Sequence, residues 1–216
     1  MPDKWDAGFV SFLKELDDLG YDELVMRFDG PPLDDLAESS PHVFYEEVAM
    51  LLREREPQAG AAFLRGRAGS DQRPARLAGA LFGLSWHGAA DVEHRPLLLG
   101  QLGHPDELVV QEAIDGLASL GSSQDLDVVV SHATHRSPYV RGAVLRYRQR
   151  VFDAAARPWL LAGLSDPDPV VRFWALDALD DLGQEGDDEL IGQMTQDKDP
   201  DIAAHAQVIV DLRAEY

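Results

Sequence analysis

The side chains best suited to chemistry in this sequence are histidines, and two sets of them have suggestive spacings. His104, His135 and Asp166 follow one another at a single constant interval, with His132 close to His135. If the chain repeats with that period, stacked turns bring them together, and imidazole with carboxylate is a donor set that takes a transition metal. His87, Asp91 and His94 form the second set. Turn histidines exposed to water are the commoner outcome, so the reading taken here assigns no metal and no cofactor. Covalent catalysis finds no better support. The chain has no cysteine, no Gly-x-Ser-x-Gly elbow and no phosphate-cradling loop of Walker type. No catalytic residue is assigned, and a non-enzymatic protein is expected.

The charge balance narrows the partners. The 216 residues carry 39 acidic and 19 basic side chains, a formal net charge of -20. Such a chain repels nucleic acid and anionic lipid, because affinity for both rests on neutralising phosphates with Lys and Arg. The field instead attracts a basic protein. An acidic surface also serves solubility, and the preference for Arg over Lys together with the lack of Asn fits a GC-rich or halophilic source equally well. The N-terminus lacks the basic-then-apolar order of a signal peptide, and no apolar run spans a bilayer. The expected location is the cytoplasm.

The elements that would hold these residues announce themselves by repetition. Pro138, Pro169 and Pro200 keep the interval of the histidine set, and each follows a residue able to cap a helix: Ser137, Asp168 and Asp199. One step back lie Asp106 and Glu107. A cap oxygen accepts free N–H groups of the first turn, and proline at the first helical position gives up a donor that had no partner. Val109, Val140, Val171 and Ile202 keep the same period, and each is followed one helical turn later by Ala113, Val144, Ala175 or Ala206. Leu97, Val128, Trp159 and Leu190 form another column upstream. Each unit is therefore two helices. The first helices are predicted near 93–102, 125–133, 155–164 and 187–194, and the second near 107–120, 138–151, 169–182 and 200–212. Neither helix buries its apolar stripe alone, so the pairs stack into an all-α superhelical solenoid.

Residues 91–216 thus read as four repeats. Residues 1–90 fit the period less well. Periodic patterns at 5–19, 42–56 and 74–84 predict helices there, and 28–42 reads as a loop with Pro and Gly punctuation. We expect degenerate or capping repeats continuous with the rest.

The phrase DPDPVVRFWALDALDDLG, Asp166 to Gly183, resembles the HEAT repeat in its short bacterial form, also called the phycocyanobilin-lyase-like repeat. The resemblance covers roughly Asp91 to Tyr216. It implies that Arg141 and Arg172 occupy the position where an arginine meets an aspartate of the turns. It also implies that second helices line a concave groove. The HEAT-like metal enzymes that hydroxylate a modified lysine use His-Glu dipeptides, and none occurs here; HEAT-like DNA glycosylases need a basic groove.

With Val171, Ala175, Ala178 and Leu182 buried, the opposite face of that helix presents Phe173, Asp177 and Asp180, with Trp174 on the flank and Asp181 beside them. The neighbouring units place Gly142, Arg146 and Gln149, then Ala204, Val208 and Asp211, on the same face, with Tyr139 at its edge. Trp174 is expected to be buried between units. Arg146 lies one period from Asp115 and Asp177, and Arg150 one period from Asp181, so an inter-repeat ion ladder is expected there. Arg148 interrupts a column of Leu117, Leu179 and Val210. Aromatic anchors within a polar rim are the anatomy of a protein-binding patch. The partner-binding set is therefore Tyr139, Arg146, Phe173, Trp174, Asp177, Asp180 and Asp181. The expected occupant is a basic protein, held by an inhibitor or immunity-type binding module. The alternative is a lyase-like handler of a small molecule or chromophore in the same groove.

Overall fold

The computed structural model describes residues 7–32, 41–71, 73–86, 92–184 and 186–214, with side chains from Phe12 onward. Among them there are helices and no strands. In chain order the helices are α1 Ala7–Asp17, α2 Tyr21–Asp29, α3 Pro41–Arg55, α4 Pro57–Ser70, α5 Pro74–Ser85, α6 Arg95–Gln101, α7 Glu107–Ser119, α8 Leu126–Val130, α9 Pro138–Phe152, α10 Arg157–Gly163, α11 Pro169–Leu182, α12 Asp188–Met194 and α13 Pro200–Ala214. Short 3-10 turns lead into α6, α8 and α10.

The chain divides into two compact units, Met1–Leu120 and Gly121–Tyr216. In the first, α2 packs on α3, α4 on α5 and α6 on α7, while α3, α5 and α7 stack side by side. In the second, the same pairing joins α8 to α9, α10 to α11 and α12 to α13. Every pair is a hairpin whose second helix carries the stacking surface. Hairpins of this form lie in both units.

The start and stop signals work as their chemistry requires. Asp106 Oδ1 accepts from Leu108 N at 3.0 Å, Asp168 Oδ1 from Val170 N at 3.0 Å and Asp199 Oδ1 from Asp201 N at 3.0 Å. Ser137 departs from the pattern. Its side chain is buried and makes no cap bond, so Pro138 alone marks that helix start. At the far end of α11, Gly183 takes φ 55° and donates to Asp180 O at 3.0 Å, a left-handed turn that suits glycine.

Core formation follows from the two stripes meeting. In the C-terminal unit, Leu145, Leu160, Val171, Ala175, Ala178 and Leu179 form one cluster. Leu176, Ile191, Ile202, Ala206 and Ile209 form the next. Each fully buried Leu or Ile there contributes about 1.5–3 kcal/mol relative to exposure. The column that joins successive hairpins of this unit reads Leu145 and Leu176, both buried, and then Gln207, which is exposed and donates to Asp211. A polar residue there leaves the outer side of α13 hydrated. In the N-terminal unit α3 and α5 approach so closely that a Cβ on Gly79 would lie 2.4 Å from Tyr45 Cβ.

Candidate functional site

His104 and His135 occupy equivalent turns of successive repeats, one interval apart. His104 Nδ1 accepts from Asp106 N at 3.1 Å and His135 Nδ1 accepts from Ser137 N at 3.1 Å. Asp166 and Asp197 do the same with Oδ1, toward Asp168 N at 2.9 Å and Asp199 N at 2.8 Å. The constant spacing is therefore that of one recurring turn, in which a side-chain acceptor holds the N–H of the residue before each second helix. The Nδ1 lone pairs are occupied by the backbone. Among the described residues no group of three His, Asp or Glu side chains is placed to hold a metal. His94 is buried, while His87 and Asp91 lie outside the described residues.

The same turns are clamped by arginine. Arg141 reaches Asp166 through Nε at 3.1 Å and Nη2 at 2.8 Å, and its Nη1 donates to the carbonyls of His135 and Arg136. One period on, Arg172 grips Asp197 at 2.9 and 2.7 Å and donates to the carbonyls of Asp166 and Pro167. A guanidinium suits this position because its fixed fork matches a carboxylate and still spares a donor. Arg141 and Arg172 thus fill the structural role that the resemblance implied. At the other ends of the hairpins Arg157 meets the fully buried Asp187, Nε to Oδ1 3.0 Å.

The candidate partner face lies on α9, α11 and α13. Tyr139 is half exposed at the start of α9. Arg146 lies over the Trp174 indole, 4.3 Å from its centroid, and the edge of that indole sits above Gly142. Trp174 is thereby partly rather than fully buried, its edge filling the space that glycine leaves. Phe173 stands edge-on to Trp174 at 5.7 Å and stacks on His205 at 4.5 Å. Its other side packs on the Leu176 and Ile202 cluster, so part of its surface is committed to the array. His205 Nε2 lies 3.4 Å from Asp177 Oδ1, an ion-pair distance without a hydrogen bond.

The ion ladder is not built as expected at its second rung. Among the described residues no ion pair joins Arg150 to Asp181; Arg150 is exposed, and the charges that Asp181 feels are those of Asp177 and Asp180. Partial desolvation first, and those like charges next, hold the Asp181 carboxyl above the usual range. Asp180 is engaged by Arg213, from Nε to Oδ1 at 2.8 Å. Arg148 lies over the Trp159 ring at 4.7 Å, where burial lowers its pKa. It leaves the core by stacking, which is how a charged side chain occupies a leucine column.

Two apolar side chains outside the expected partner-binding set, Val208, already placed on this face by periodicity, and Leu212, which was not, complete it. Val208 and Leu212 are each 55% exposed, unusual for large apolar side chains of a core-facing repeat. Val208 follows Asp177, and Leu212 follows Asp181, by one period. The same arithmetic applied to Trp174 points to His205.

A family model for HEAT repeats matches residues 61–147 and 126–209. The chain belongs to the HEAT-repeat family. The match begins ahead of Asp91, within α4, and includes the α5 and α6–α7 stretch. No curated protein matches the chain. Within this HEAT-repeat protein no described helix is long and apolar enough to cross a membrane. Repeats of this family form helical scaffolds that commonly engage other proteins.

Proposed function

We propose that this HEAT-repeat protein is a non-enzymatic binding module whose second-helix face holds a basic protein. One observation carries the reading. Two exposed apolar side chains, Val208 and Leu212, stand one period from a carboxylate triplet, Asp177, Asp180 and Asp181, in which Asp181 has no cation of its own among the described residues. Apolar area gives a partner something to bury, and a carboxylate without its own cation, Asp181, selects and steers a cationic one. An inhibitor or immunity-type role, covering the functional surface of a basic toxin or nuclease, is the form that best uses carboxylates in place of phosphates. The small-molecule alternative draws less support. The clefts of about 470 and 390 Å³ in the C-terminal unit are not apolar pockets: Asp180, Asp188 and Arg213 share the lining of the first with Ile209 and Leu212, and Asp166, Arg172, Asp197 and Lys198 share that of the second with Pro167 and Met194.

The test is capture from lysate of the source organism, with the wild-type protein and an Asp177→Lys/Asp181→Lys variant as parallel baits. A basic protein retained by the first, released by salt and lost from the second supports the reading. Equal retention by both baits rejects this face.

A further inference from the structure

The acidic end of this face already holds a guanidinium, and it is the protein's own. Arg213, in the last turn of α13, directs Nε to Asp180 Oδ1 at 2.8 Å, Nη1 to Asp188 Oδ1 at 2.7 Å and Nη2 to the main-chain oxygen of Asp180 at 3.3 Å. All three nitrogens are therefore engaged by acceptors from two other helices. The Asp180 carbonyl, which also accepts from Gly183 N at 3.0 Å, lies in the last turn of α11, where the helix dipole adds negative potential. Around this arginine lies a cleft of about 470 Å³, walled on its apolar side by Ile209 and the exposed Leu212. Two carboxylates from different helices, a helix-end carbonyl and an aliphatic wall together make a receptor for arginine in particular. A lysine ammonium is a point charge that cannot bridge the same three acceptors in one plane.

We propose that the cleft between α11, α12 and α13 is an arginine-accepting subsite of the partner face, and that Arg213 is its placeholder, displaced when a partner's arginine enters. This rests on the reading that the partner is basic and specifies what that partner presents: an arginine, with its stem against Leu212. The entering guanidinium remakes the contacts that Arg213 gives up, and the two carboxylates are 38% and 76% exposed, so neither ion pair is a buried one.

The experiment uses the full chain with hexa-arginine and hexa-lysine peptides, titrated by calorimetry at low salt. The wild-type protein is compared with Arg213→Ala and Asp188→Asn, and circular dichroism checks that each is folded. Arg213→Ala is expected to bind hexa-arginine about tenfold more tightly, while hexa-lysine gains about twofold or less from the added net charge alone. Asp188→Asn, at an exposed position, is expected to remove the preference for arginine over lysine even if Arg213→Ala folds poorly. Equal gains for both peptides in Arg213→Ala, or an unchanged arginine preference in Asp188→Asn, would overturn the placeholder assignment and leave the basic-partner reading standing. Failure of both peptides to bind any of the three proteins would overturn both.

Discussion

Asp197→Asn is expected to cost the C-terminal unit about 3 kcal/mol at neutral pH, the lower end of the range for breaking a buried ion pair. The Arg172 and Asp197 side chains are 4% and 9% exposed, whereas an exposed pair contributes only ~0.2–1 kcal/mol. Once the carboxylate is gone, the Arg172 guanidinium stays buried with two of its N–H groups lacking their anion. Its Nη1 keeps the carbonyls of Asp166 and Pro167, which is why the low end of the range applies. Asparagine retains an acceptor for Asp199 N–H, so the turn survives and the substitution isolates the charge. The same pair sets a pH dependence. The hydrogen bonds from Arg172 hold the Asp197 carboxyl below the usual range against the opposing effect of burial. A carboxylate with a depressed folded pKa contributes stability that is fully present above its unfolded value, about 3.9, and is lost as pH falls through the folded one. Urea unfolding followed by circular dichroism at pH 7 and again below pH 4 measures both. The variant should lose stability at pH 7 and show a flatter acid dependence than the wild type. A loss under about 1 kcal/mol, or an unchanged acid slope, would mean that this clamp behaves like an exposed pair and that the turn column is held by its backbone bonds alone.

In the N-terminal unit, burial first and the neighbouring Glu47 charge second push the Glu46 carboxyl up to about 7. Its ionised form opposes folding, so stability is lost as pH rises from about 4.5 through 7; Glu46→Gln should gain on the order of 2 kcal/mol at pH 8 and nothing near pH 4. Equal effects at both pH values would place that carboxyl in water. Gly79→Ala should lower stability by about 1–3 kcal/mol despite the better helix propensity of alanine, because the new methyl meets Tyr45 Cβ and the Tyr45 backbone at 2.4 and 2.8 Å. A higher melting temperature would contradict that helix contact. Arg148→Leu restores the apolar column of Leu117 and Leu179 and removes a desolvated guanidinium whose Nε has no hydrogen-bond partner among the described residues. A gain of about 1 kcal/mol in thermal unfolding is expected, and a loss would assign more to the Trp159 stacking than to desolvation.

Repetition made the C-terminal hairpins legible in the sequence. Asp168, Pro169 and Gly183 are local signals, acting within one or two turns of the backbone they shape, and they recur at a spacing no insertion disturbs. The first ninety residues hid the same architecture for a definite reason. The helices that open at Pro41, Pro74 and Glu107 follow one another at an interval longer by two positions than the one that links Pro138, Pro169 and Pro200. Two positions rotate a helix by roughly 200°, so stepping by the shorter interval carries an apolar column to the opposite face. Helix α4, rich in glycine and alanine, had little apolar stripe to detect.

The candidate face was half legible. Periodicity alone decides that positions 173, 177, 180, 204 and 208 share one side of the second helices. It cannot decide which of them a neighbouring helix covers, because burial depends on side chains a whole repeat away along the chain. Packing between helices sets Phe173 against His205 and Trp174 beneath Arg146, and it leaves Val208 and Leu212 in water. It likewise turns His104 and His135 from a candidate metal set into acceptors for their own turns, and brings Arg213 to Asp180 and Asp188. Hydrogen-bond direction and the distance between charges exist only in three dimensions, whereas helix caps and stripes are written into neighbouring residues.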